Sequence, residues 1–124
     1  MKNKFLVVCI LCISSFAASS QKTPFEKDTN VTATYEECIA FYEALDKKYA
    51  SVEVKTFGET DGGEHLQLVT ITKDGNHNPS HWKQTNKMVI LINNGIHPGE
   101  PDGIDASMML ARDMVQQKNG LQLP

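Results

Sequence analysis

Residues 87–115 read KMVILINNGIHPGEPDGIDASMMLARDMV, and the fold turns on how this stretch divides. Met88 to Ile92 are five consecutive apolar residues, a length that suits a strand and an unbroken apolarity that suits one covered on both faces. Asn93-Asn94-Gly95 ends the run, and Ile96-His97-Pro98-Gly99-Glu100-Pro101 makes a stiff corner. From Asp102 the period changes: Ile104, Met108, Ala111 and Val115 recur at helical spacing. A buried strand, a Gly/Pro corner and a helix put the corner at the strand's C-terminal end, where open α/β sheets hold their ligands.

Two side chains in the corner carry chemistry. His97 and Glu100 offer an imidazole nitrogen and a carboxylate oxygen, both good zinc donors. The spacing alone is weak, since a chain with 4 His and 8 Glu in 124 residues contains such a pair by chance about one time in four. The setting sharpens it. Pro98 and Gly99 make a tight, rigid link, Pro101 suits a helix start, and both donors therefore sit between stiff elements. Asp102 and Asp105 suit the positive end of the helix that follows.

Outward from this stretch, 124 residues bound the chain to a single domain, and a formal charge of −3 without a basic cluster points away from nucleic acid. Residues 1–20 read as a secretory leader, with Lys2 and Lys4 at the start, Phe5 to Ile13 as apolar centre, and Ala18-Ser19-Ser20 before a cut at Gln21. The apolar run is too short to span a membrane, so the processed protein is expected to be secreted or periplasmic, without a membrane partner. Processing removes Cys9 and Cys12. Cys38 is then the remaining thiol, unable to form an internal disulfide and read as a small core residue.

Residues 21–33 are polar, carry Pro24 and read as a linker. They include the sequon Asn30-Val31-Thr32, which matters in a eukaryotic secretory pathway. Thr34 and Glu37 have capping-box spacing. Behind them Cys38, Phe41, Tyr42, Leu45 and Tyr49 trace one helical face, with Glu43, Asp46 and Lys47 turned to water. Ser51 to Phe57 alternates as a strand, Gly58 to Gly63 is turn-rich, and Leu66 to Ile71 alternates again, which together predict an antiparallel hairpin. Residues 76–86 read as a polar loop in which His77 and His81 are solvated and Trp82 anchors the loop on the core. His65 opens the second hairpin strand, and Gly120 suits a helix stop. The order is helix, antiparallel hairpin, buried strand, helix: an α/β layout with a mixed sheet.

Asn93-Asn94-Gly95-Ile96-His97-Pro98-Gly99-Glu100, after an apolar strand and before a helix, resembles the first metal-binding motif of the zinc carboxypeptidases. The hairpin from Phe57-Gly58-Glu59-Thr60 to Leu68 and the capped helix before it resemble the N-terminal part of that family's fold, so the similarity spans residues 34–124. The resemblance implies one Zn2+ with His97 and Glu100 as the first two ligands, and peptide or protein C-termini as substrate. It places the third ligand, the substrate-holding arginines and tyrosine, and the general base past Pro124. The sequence is therefore expected to be the truncated N-terminal portion of a metallocarboxypeptidase, inactive by itself. An amidase or deacylase sharing the same corner, or a non-enzymatic truncated product, are the alternatives.

Overall fold

The structure, a computed structural model, describes residues 21–121 and 123; the leader reading lies outside them. Four helices and one hairpin follow in the order α1 (Pro24–Lys27), α2 (Tyr35–Lys48), β1 (Val52–Glu59), β2 (His65–Ile71), α3 (Pro79–Gln84) and α4 (Asp102–Val115), with a 3-10 turn at Lys118–Gly120. Among the described residues no helix is long and apolar enough to cross a membrane.

α2 starts where the capping box predicts. Thr34 Oγ1 accepts from the Glu37 N–H at 3.2 Å, while the Glu37 carboxylate accepts from the Thr34 N–H at 3.0 Å. Its apolar stripe faces inward: Phe41 and Leu45 are buried, and Cys38, Tyr42 and Tyr49 pack beside them. Asp46 departs from the solvated role expected of it. Its carboxylate accepts from the Val54 N–H at 3.0 Å and ties α2 to β1.

β1 and β2 pair antiparallel, with Val52 opposite Ile71 and Val54 opposite Val69. Directly opposed residues share a face. Val52, Val69 and Ile71 accordingly join the core, while Leu66 and Leu68 lie on the exposed face. The register slips between Thr56 and Gly58, a bulge that leaves Phe57 without a partner opposite. α4 closes the core with Met108, Ala111 and Val115, the residues its helical period selects, and Met108 is 0 % exposed.

Two stretches read as loops are ordered as short helices. Residues 24–27, within the expected linker, form α1 behind a second capping box, Thr23 with Glu26, and Thr23 is fully buried. Residues 79–84 form α3, whose cap Asn78 accepts from the Ser80 N–H at 2.9 Å and whose first residue is Pro79.

The largest departure concerns Met88–Ile92. The expected buried strand is absent: the sheet holds β1 and β2 alone, residues 88–96 carry no secondary structure, and Met88 and Leu91 are 87 % and 80 % exposed. The physical reason is that burial of a strand requires a neighbouring strand for its backbone groups and a layer over each face. The described residues supply neither. The mixed sheet expected from the sequence is thus reduced to an antiparallel pair flanked by helices, compatible with part of an α/β fold.

Candidate metal corner

The corner is built from a four-residue turn. His97 and Glu100 are its ends, Pro98 and Gly99 its centre, and Gly99 has φ +83°. Proline second and a positive-φ glycine third is the signature of a type II turn, which brings its first and fourth residues together. His97 Nδ1 consequently lies 3.2 Å from Glu100 Oε2 and 3.3 Å from Oε1. Both side chains are exposed, so their ion pair adds little to stability.

The loop is seated on α4 by its neighbours. Asn94 donates its side-chain amide to Ser107 Oγ, and Gly95, at φ +66°, packs so close to α4 that a Cβ would come within 2.6 Å of Ile104 Cδ1. Pro101, expected at the first helical position, is the N-cap, and its carbonyl accepts from the N–H groups of Ile104 and Asp105 at 2.9 and 3.1 Å. Asp102 is an exposed first-turn acid as expected. Asp105 has a further role: it is buried and accepts from the Thr32 hydroxyl. Its carboxylate also helps raise the Cys38 thiol above its ordinary pKa, although burial is the larger cause.

The other histidines are committed elsewhere. The Ala50 carbonyl can only accept, so His77 Nε2 donates to it at 3.1 Å, which leaves Nδ1 to take the Thr70 hydroxyl at 2.8 Å. His81 Nε2 lies 3.0 Å from Asp74, which also binds Lys87 at 2.5 Å. These two are structural latches rather than merely solvated groups. Trp82, expected to anchor its loop on the core, is instead tied within the loop, its indole donating to the Asn76 carbonyl at 2.6 Å, and it is not among the side chains packed on the core. His65 is exposed on β2, and its carbonyl takes the Tyr35 hydroxyl at 2.6 Å.

Among the described residues no three His, Cys, Asp or Glu side chains gather to hold a metal, so the corner offers two donors. Their geometry fits zinc. Two ligands of a tetrahedral ion, each near 2.1 Å, stand about 3.4 Å apart, close to the observed separation of Nδ1 and the carboxylate oxygens. Two shallow, open depressions among the described residues lie elsewhere, one against Lys48, Tyr49 and Val115 and the other against Glu43, Asp46 and Val54.

The sequence singles out His97 and Glu100 and places Asn94 in the same motif, but it does not show that Asn94 meets Ser107 and Gly103 on α4. Nothing in their spacing marks that contact, because it depends on the path of the loop.

The His97–Glu100 turn at the head of α4 brings together an imidazole nitrogen and a carboxylate, a pair of candidate metal donors. The chain belongs to the zinc carboxypeptidase family, whose model matches residues 38–122. That span runs from α2 through the corner and α4. No curated protein and no solved structure matches the chain. Membership places the protein among zinc metallopeptidases, hydrolases that act on peptides.

Proposed function

We propose that the chain contributes the first half of the active site of a zinc metallocarboxypeptidase, which removes residues from the C-termini of exported or environmental peptides. The carrying observation is the convergence of His97 Nδ1 and Glu100 to 3.2 Å on a Pro-Gly turn, in a chain of this family. His97 and Glu100 would hold the ion, and the third ligand, general base and substrate-binding groups come from outside the described residues. Zinc bound there supplies Lewis-acid activation of water and of the scissile carbonyl.

The chain's own part is to orient. A carboxylate only accepts, so without metal His97 Nδ1 carries the proton and donates to Glu100. Ligation through Nδ1 would need the other neutral tautomer, with the ring proton on Nε2. The turn keeps both donors at one point without a conformational search, as a metal site requires.

Two titrations test the reading. Zinc added to the 124-residue chain should perturb the His97 ring and Glu100 signals, and His97→Ala or Glu100→Ala should abolish that local response. The chain alone should not release C-terminal residues, because two protein ligands hold zinc weakly and no base is placed beside it. Zinc-dependent release from a free peptide but not from its C-terminally amidated partner would show that the chain completes its own site. An unchanged zinc response in both alanine variants would remove the metal role.

A further inference from the structure

We propose that Asn94 is a positioning residue for the His97–Glu100 pair, clamping the metal corner to α4 through Ser107 and the bare backbone of Gly103; this rests on the zinc reading above. From Met88 to Glu100 the chain is exposed throughout. Among the described residues, the bond from the Asn94 amide to Ser107 Oγ is the only hydrogen bond joining this stretch to the rest of the protein; its other side-chain bonds run between His97 and Glu100 themselves.

The clamp has shape as well as a hydrogen bond. A Cβ on Gly103 would stand 2.6 Å from Asn94 Oδ1, 3.0 Å from its Cγ and 3.3 Å from its Cβ, so the Asn94 side chain lies directly over a helix face that only glycine leaves open. Gly95 continues the seat against Ile104. At the other end, Glu100 is followed at once by Pro101, the cap of α4. The loop from Asn94 to Pro101 is thus a handle pinned at both ends to the first two turns of one helix, with the metal donors at its tip. His97 lies three positions on from Asn94, a reach of about 10 Å at most. Releasing Asn94 frees the His97 side of the handle while Glu100 stays tethered, and the two donors lose their common point.

Outer partners that orient metal ligands are typically worth 10–100-fold in metal affinity. Zinc titrations of the intact chain, followed by NMR at the His97 ring and the Glu100 amide, test the role. Asn94→Ala and Ser107→Ala should each weaken zinc binding about 10-fold, and the double variant should be no weaker than either single one, because both remove the same clamp. Gly103→Ala, which displaces Asn94 sterically, should reproduce the loss. Backbone order parameters should fall at Ile96 to Glu100, whereas amide protection across Met108 to Val115 should hold. Wild-type zinc affinity in Asn94→Ala overturns the proposal, and so does a loss matched by equal loss of protection in Met108 to Val115, which marks plain destabilisation. A zinc response that persists in His97→Ala sinks the zinc reading instead, and the role with it.

Discussion

Arg112 of α4 reaches Glu26 of α1 across 86 residues of sequence, its Nη1 2.5 Å from Glu26 Oε2. The same Nη1 donates to the Gln21 carbonyl at 3.0 Å, and Nε donates to Asp113 at 2.7 Å. Arg112 is 5 % exposed, so its charge is stabilised almost entirely by these partners. Removing one member of a buried pair leaves the other uncompensated. Arg112→Ala should cost about 2–4 kcal/mol, the lower end reflecting that Glu26 is partly solvated. Chemical denaturation checks it: a shift in unfolding free energy below about 0.5 kcal/mol, the ordinary scatter of surface substitutions, would mean that α1 is not docked through this residue.

Acid should undo the latch around Asp74. Lys87 chiefly, then the Asn76 N–H and His81, hold the Asp74 carboxyl well below the usual carboxylate range. A carboxyl depressed on folding contributes stability that is present above its unfolded pKa, about 3.9, and is lost as the pH falls from there through the folded value. Trp82, the sole tryptophan, reports the event because its indole is bonded to Asn76, two residues from Asp74. Its fluorescence should change as the pH falls below about 4. Asp74→Asn should show the acid-form spectrum already at neutral pH; an identical titration in that variant would assign the change to another group.

Which parts of this structure were legible follows from what each pattern reports. Periods of 3.6 and 2 report sidedness, so α2, α4 and the hairpin could be read, down to Phe41, Leu45, Met108 and Val115 in the core. α1 and α3 are too short for any period. Their signals are local: Thr23-x-x-Glu26 repeats the capping spacing that located α2, and Asn78-Pro79 sets a cap before a first-turn proline. The His97–Glu100 pair was legible because a Pro-Gly turn joins its ends within four residues. The Asn94–Ser107 clamp was not, since thirteen residues of loop and helix decide whether those side chains meet. Unbroken apolarity in Met88–Ile92 reports a demand for burial, and the demand is unmet among the described residues.

Processing on export is expected between Ser20 and Gln21, on the small residues at 18–20. Gln21 is held by Arg112, and Thr23 is fully buried as the cap of α1, so cleavage beyond Thr23 would remove docked residues. N-terminal sequencing of exported protein should begin at Gln21, and a mature chain beginning at Met1 would refute the leader.

Met88 to Ile92 should make the isolated chain self-associate. An exposed apolar segment with free backbone donors and acceptors, carrying neither proline nor charge, is an open template for strand pairing. β2 offers the more open edge: β1 is engaged by Asp46 at Val54, mid-strand, whereas the Tyr35 hydroxyl on the His65 carbonyl touches only the first residue of β2. Pairing of residues 88–92 of one copy with β2 of the next is heterologous, and such contacts propagate rather than close. Opposing it is a core of six buried apolar side chains, in a class of domain whose total stability is only about 5–15 kcal/mol. Partial opening is therefore expected to feed assembly. Sedimentation should show concentration-dependent oligomers, and Ile90→Lys, which places a charge on the segment without touching the core, should return the chain to monomer. Amide exchange should be fast at Val89 to Ile92 in that monomer and slow across Met108 to Val115. A wild-type chain that melts cooperatively as a monomer, with strongly protected amides at Val89 to Ile92, would show that the segment finds its partner within the chain.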